Sequence, residues 1–282
     1  MSKLLLGAPV ADAIKQDVKE KVSALRAQGI VPALAILRVG QHADDLAYER
    51  SAIKVAASLD IDTKVFSFAE DVSQKELECA ISSINENQGI HGCLLFRPLP
   101  KDIDETALCN KLICLKDLDG ISSQSLGGVF AGNGLGFAPC TAQACIEICE
   151  FYGISLEGKH VVVIGRSLVI GKPVAMLFLE KNATVTICHS HTENLAQITS
   201  SADIVVCATG RAKAYGEEYF SSGQVVLDVG INVDAEGKLC GDVDFGAVEP
   251  LVGAITPVPR GVGSVTTALL MQHVVIAAAR RV

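Results

Sequence analysis

The sequence predicts a two-domain α/β protein in which both domains are built on parallel strands. Three observations carry this prediction. Short apolar runs alternate with amphipathic stretches through the first third of the chain, the pattern of strand–helix–strand units. A Gly/Ser-rich, aperiodic segment, "GISSQSLGGVFAGNGLGFA" (120–138), interrupts that alternation and marks a boundary. Beyond it a new alternation develops around "HVVVIGRSLVIGKPVAMLFL" (160–179), a buried strand, a glycine turn and a helix opening.

Taken in order, residues 9–28 read as an amphipathic helix ended by Gly29, and "ALAILRV" (33–39) as a buried strand. Asp44 to about Leu59 forms a second helix, and "KVFSF" (64–68) a second strand. Ser73 caps a helix running to about Asn87, with Glu76 at the capping-box position. "GCLLF" (92–96) is a third strand, closed by "RPLP". After the boundary, "CTAQACIEICEFYG" is a helix, followed by strand 161–164, a helix over about 171–181 and strand 184–188. A short helix and strands 203–207 and 225–229 complete this half. The last stretch, "SVTTALLMQHVVIAAARR", is a long apolar-faced helix suited to packing back on the first domain. The expected division is a first domain over 1–135, completed by helix 265–282, and a second over 136–264.

Bulk composition narrows the function. With 49% apolar and 20% charged residues, the 282-residue chain has the balance of a compact soluble protein. No apolar run approaches the roughly 18–20 residues a membrane span needs. The start, "MSKLLLGAPVADAIKQDVKEKV", lacks the features of a signal or transit peptide, so a cytoplasmic location is expected. A net charge of −8 without any basic block argues against nucleic-acid binding. The ten cysteines fall mostly in apolar runs such as "ADIVVCATG", contain no C-x-x-C and match no zinc spacing. They read as buried hydrophobes in a reducing compartment, and no metal site is expected.

The strand–turn–helix at 160–179 suits a nucleotide phosphate, because free backbone N–H groups and the helix dipole point at that junction. Its glycines, Gly165 and Gly171, do not make the G-x-G-x-x-G fingerprint, and a plain tight turn is the alternative. The next strand sharpens the choice. A Rossmann-type domain that prefers NAD ends its second strand on an acid that holds the ribose hydroxyls. Here the strand runs into Cys188, His189, Ser190, His191 and Thr192, with no acid before Glu193. Arg166, just past the first strand, is placed to meet a 2′-phosphate near Ser190. The expected cofactor is therefore NADP.

Several segments, in order across nearly the whole chain, resemble one family. They are "VGQHADDLAY" (39–48), "RPLPKDID" (97–104), "KDLDG" (116–120), "PCT" (139–141), "VVVIGRSLVIGKPVAMLFLEKNATVTICHSHT" (161–192), "VLDVGIN" (226–232), "GDVDF" (241–245) and "ITPVPRGVGSVT" (255–266). The chain resembles the methylenetetrahydrofolate dehydrogenase/cyclohydrolase family, FolD. The resemblance implies two α/β domains with a cleft between them, a homodimer formed through the nucleotide domains, and tetrahydrofolate one-carbon derivatives as substrates. It implies oxidation of 5,10-methylenetetrahydrofolate and, in many members, hydrolysis of the methenyl product to 10-formyltetrahydrofolate. By the same match Tyr48 stacks on the pterin, Asp119 hydrogen-bonds it, and Pro98, Leu99, Pro259 and Gly261 line the folate side. Gly165, Arg166, Ser167, Gly171, Ser190 and Ile231 match cofactor-binding positions, with Arg166 and Ser190 on the 2′-phosphate.

The chain departs from the bifunctional pattern at one linked pair of positions. That pattern reads Y-x-x-x-K, with the lysine one helical turn on and on the same face, where it serves the hydrolytic step. The fourth residue after Tyr48 is Ala52. Lys54 is turned about 240° around the helix from Tyr48 and reads as a solvated charge. The pattern's V-Q-L-P-L-P, whose glutamine partners that lysine, is here "LFRPLP", with Phe96 in the glutamine's place and Arg97 after it. Hydride transfer needs orientation and binding, whereas water addition needs a proton acceptor. The expectation is an NADP-dependent dehydrogenase with weak or absent cyclohydrolase activity. Two alternatives stay open: a bifunctional enzyme in which Arg97, Lys54 or His42 stands in, and a catalytically silent folate- or nucleotide-binding protein. The only sequence support for the last is Arg260, which replaces a family glycine.

Overall fold

The computed structural model describes residues 2–280; positions 1, 281 and 282, at the ends of the expected first domain and last helix, lie outside the described residues. The elements begin with β1 (Lys3–Leu4), α1 (Gly7–Ala27), β2 (Ala33–Val39), α2 (Ala43–Ser58), β3 (Asp62–Phe68) and α3 (Gln74–Glu86). Next come β4 (Gly92–Leu95), α4 (Glu105–Lys111), α5 (Ser123–Ala131), α6 (Cys140–Phe151), β5 (His160–Ile164) and α7 (Gly171–Glu180). Then follow β6 (Thr184–Cys188), α8 (Leu195–Ser200), β7 (Ile204–Cys207), β8 (Val225–Asp228) and β9 (Asn232–Val233). The chain closes with β10 (Leu239–Cys240), α9 (Phe245–Val248), β11 (Ala254–Ile255) and α10 (Thr266–Ala279). Two compact units result.

One unit comprises Asp12–Cys140 and the segment from Thr267 onward. Its sheet is parallel, in the order β3-β2-β4. Central β2 is covered on both faces, which explains why it is aliphatic throughout except at Arg38. Leu37, Leu77, Ile84, Leu95 and Leu108 form its core. The capping box at Ser73 and Glu76 is present: Ser73 Oγ accepts from Glu76 N and Glu76 from Ser73 N. At the other end of α3, the buried Lys116 ammonium donates to the carbonyls of Ile84, Asn85 (2.9 Å) and Asn87 (2.8 Å). A cation on the last carbonyls of a helix is stabilising. It also fixes the start of "KDLDG" beneath the site.

The boundary segment differs from expectation, for α5 lies inside it. Local caps make that helix rather than periodicity: Ser122 Oγ accepts from Ser125 N, and Gly132 closes the last turn at φ 60°. Gly128 is needed because a Cβ there would lie 2.0 Å from the Leu135 carbonyl oxygen.

The second unit comprises the residues up to Ala11 and Thr141–Thr266. Its six strands are parallel, in the order β1-β11-β8-β7-β5-β6. The N-terminal segment, expected with the first domain, belongs here because Lys3 and Leu4 pair with Ala254 and Ile255. A two-residue edge strand carries no periodicity, so the sequence held no sign of it. Val162, Ile164, Val205, Cys207 and Val226 make the core of this unit. All ten cysteines are free thiols and, Cys79 apart, buried. Among the described residues no helix is long and apolar enough to cross a membrane.

Candidate active site

In the first unit, α2 presents Tyr48 half-buried, with its ring edge-on to Phe96 at 5.6 Å and 69°. Phe96 follows directly on β4 and is 8% exposed; Ala52, one turn beyond Tyr48, is 0% exposed. Lys54 and His42 are exposed. The helix is tied to β2 by a buried ion pair, Glu49 Oε2 to Arg38 Nε at 2.8 Å. Arg38 also donates to the Gly40 carbonyl. The tyrosine therefore sits on a fixed helix, with the Phe96 ring packed against it.

The "RPLP" segment is held by Glu105. One of its oxygens lies 3.6 Å from Arg97 Nη1 and the other accepts from Leu99 N at 2.9 Å. Leu99 is buried and Pro98 exposed. Asp117 accepts from Ile121 N and Ser122 N at 3.0 and 2.8 Å, closing the turn that displays Asp119. Asp119 Oδ1 accepts from Cys140 N at 3.0 Å. Burial pushes the Asp119 carboxyl above the usual range, against the lowering pull of the Cys140 N–H and the Arg97 charge.

Behind this turn, His273 of α10 donates from Nδ1 to the Leu118 carbonyl at 2.7 Å and packs on Phe137 at 4.7 Å. Burial lowers its pKa from 6.5 to about 4. Between those values the unfolded chain binds a proton that the folded chain refuses, so stability falls as pH drops through the window. Urea midpoints taken from pH 7 to 4.5 should show a loss on the order of 2–3 kcal/mol from this group. His273→Gln should flatten that slope; an unchanged slope in the variant would assign the acid sensitivity elsewhere.

In the second unit, β5 ends on Gly165 at φ +132°, where a Cβ would lie 2.2 Å from the Ala208 carbonyl oxygen. A Cβ on Gly171 would lie 2.3 Å from the Gly165 carbonyl oxygen. The two glycines thus let α7 start against the end of β5, as a phosphate-binding turn requires. Ser167 Oγ accepts from Ile170 N (3.1 Å) and Gly171 N (3.4 Å), so its hydroxyl shapes the turn as well as bordering the site.

Gly165, Arg166, Ser167 and Ser190 border one cavity of about 540 Å³. The same cavity is bordered by Thr209, Arg211, Tyr215 and Tyr219, which the sequence reading missed. Their loop carries no spacing motif. It is shaped by Asp242, 33 residues away from Thr209, whose buried carboxylate accepts from the N–H groups of Thr209, Gly210 and Arg211. The "GDVDF" segment was the available signal.

A second pocket of this unit, about 250 Å³, gathers Ile231, Pro259 and Gly261 with Asp228 and Arg260. Arg260 holds φ +84°, the left-handed conformation that favours glycine. The turn expected of a glycine thus survives with an arginine in it. Burial pushes the Asp228 carboxyl up to about 7, although the N–H groups of Gly230, Asp242 and Val243 donate to it. Among the described residues no cluster of His, Cys, Asp or Glu is arranged to hold a metal ion.

Comparison with known proteins places the chain in a family. Residues 5–119 match the family model described as tetrahydrofolate dehydrogenase/cyclohydrolase, catalytic domain, and residues 139–282 match the NAD(P)-binding domain of the same family. The chain belongs to the tetrahydrofolate dehydrogenase/cyclohydrolase family. Within it, a bifunctional protein FolD of Carboxydothermus hydrogenoformans is 52% identical over 98% of this chain and 96% of its own. The crystal structure of the FolD dehydrogenase/cyclohydrolase from Campylobacter jejuni superposes with a TM-score of 0.97 at 35% identity, covering 100% of both chains. That of the Trypanosoma brucei FolD enzyme, complexed with NADP and an inhibitor, gives 0.92 at 33% identity over 99% of this chain and 98% of that one. The family's two-domain α/β fold, a catalytic domain with a Rossmann-type NAD(P)-binding domain, is the fold observed here.

Proposed function

We propose that the protein oxidises 5,10-methylenetetrahydrofolate to the 5,10-methenyl form with NADP, and that its cyclohydrolase activity is weak or absent. The residues around the larger cavity fit NADP: a turn that admits no side chain at Gly165, and two guanidiniums with no acid among the bordering residues. The cofactor supplies the acceptor for a hydride leaving the methylene carbon. The chain's part is to bind and orient. Tyr48 offers a ring face for the pterin, Asp119 accepts from its N–H groups, and Pro98 and Leu99 form the wall beside them. Gly165, Ser167 and Gly171 shape the turn for the phosphates, Arg166 and Ser190 hold the 2′-phosphate, Ile231 borders the cofactor, and Pro259 and Gly261 are substrate-side residues. The cation left on the folate is stabilised by its own nitrogens, so no protein base is needed for this step.

The observation that carries the second half of the proposal is the pairing of Tyr48 with Phe96 beside a buried Ala52. Water addition to the methenyl carbon calls for a proton acceptor, and a methyl and a phenyl group offer none. Of the candidate substitutes, Lys54 and His42 face solvent and Arg97 is paired with Glu105. A second reading, the full bifunctional enzyme, is favoured by the 52% identical relative, whose name is bifunctional. Purified protein given methylenetetrahydrofolate and either NADP or NAD tests the first step. Substrate-dependent NADPH formation is expected, and its absence would leave a silent binding protein.

Homodimer formation through the nucleotide unit is part of the proposal. Its support is the antiparallel β9–β10 hairpin, which leaves the paired residues Val233 and Leu239 exposed. Free, buried thiols are consistent with a reducing cytoplasm.

A further inference from the structure

We propose that Arg211 is a second specificity-determining residue for the cofactor's 2′-phosphate, acting with Arg166. The proposal rests on the NADP reading above. It comes from the register of the sheet. Ile164 of β5 is aligned with Cys188 of β6 on one side and Cys207 of β7 on the other. The three parallel strands therefore end level, and the residues just beyond them share the carboxyl edge where open α/β sheets bind ligands. Arg166, Ser190 and Arg211 are those residues, and all three border the cavity of about 540 Å³.

Charge makes the case specific. Among the described residues neither Arg166 nor Arg211 makes an ion pair, and no Asp or Glu borders the cavity. The acid nearest in the chain's contacts, Asp242, is buried and turned to the backbone N–H groups of Thr209, Gly210 and Arg211. It fixes where Arg211 leaves the main chain without pairing its guanidinium. Two unneutralised guanidiniums facing one cavity call for a ligand with more than one negative charge. A phosphate monoester carries about −1.5 to −2 at neutral pH, and the 2′-hydroxyl of NAD carries none. One arginine answers half of that charge; two answer it fully and can bind it by paired N–H donors.

The test compares adenosine 2′,5′-bisphosphate with adenosine 5′-monophosphate, which differ only by the 2′-phosphate, in calorimetric titrations of the full chain. Arg211→Gln should weaken the bisphosphate about 10- to 100-fold. It should lower the ratio of kcat/KM for NADP over NAD by a similar factor, and Arg211→Lys should recover part of both. Bisphosphate affinity unchanged in Arg211→Gln but weakened in Arg166→Gln would overturn the role of Arg211 while leaving the NADP reading in place. Equal losses for both nucleotides would also overturn it, since Arg211 would then shape the pocket rather than read the phosphate. A native protein that binds the bisphosphate no better than the monophosphate would overturn the NADP reading itself.

Discussion

Asp119→Asn should lower kcat/KM for methylenetetrahydrofolate about 30- to 100-fold, on the order of 2–3 kcal/mol, with the affinity for NADP unchanged. The carboxyl sits half-buried on a turn that Lys116 and Asp117 hold in place. Burial holds its pKa up despite the Cys140 N–H, so its charged form gains from a ligand that brings further N–H groups. A pterin ring brings them. Asparagine keeps an oxygen for the Cys140 N–H, now 3.0 Å from Asp119 Oδ1, and so keeps the turn. It removes the negative charge and points an N–H₂ group at the ligand's donors. The asparagine variant should unfold at nearly the native urea concentration, which separates this loss from misfolding. A kcat/KM within threefold of native would remove Asp119 from the folate site.

Gly165→Ala should destabilise the nucleotide unit by on the order of 3–5 kcal/mol and abolish stabilisation by NADP. The new Cβ would lie 2.2 Å from the Ala208 carbonyl oxygen, at a φ of +132° that L-residues rarely adopt. Ala208 cannot give way cheaply, because its N–H donates to the Ile164 carbonyl at 2.9 Å and so belongs to the sheet. The Gly165 N–H likewise donates to the Cys188 carbonyl at 2.9 Å, which ties the turn to β6. Urea unfolding with and without NADP checks both effects. A variant with the native midpoint and a native shift on adding NADP would show that the turn tolerates a side chain.

The alternation of strand and helix was legible because the central strands are short, mostly aliphatic runs. "ALAILRV" and "HVVVI" belong to sheets covered on both faces, and Ser73 with Glu76 announces its helix. What escaped was structure made by fit rather than by pattern. Helix α5 holds Gly127 and Gly128 among serines, and stands on the caps at Ser122 and Gly132. Strand β1 exists only because Lys3 and Leu4 find Ala254 and Ile255 near the other end of the chain.

The site divides the same way. Arg166 and Ser190 could be read because they follow strands directly and the acid of an NAD site is missing between them. Arg211, Tyr215 and Tyr219 could not, since a buried carboxylate on a distant segment sets their loop. Ala52 and Phe96 were readable as single positions; only the structure adds that Phe96 packs edge-on against Tyr48.

The most direct measurement is the decay of 5,10-methenyltetrahydrofolate at neutral pH, followed with native protein and with Ala52→Lys/Phe96→Gln. The dehydrogenase rate of each serves as proof of folding. Decay close to the uncatalysed rate is expected with native protein, and an added catalysed rate with the double variant. Native protein hydrolysing the methenyl form at a rate comparable to its dehydrogenase step would contradict this expectation.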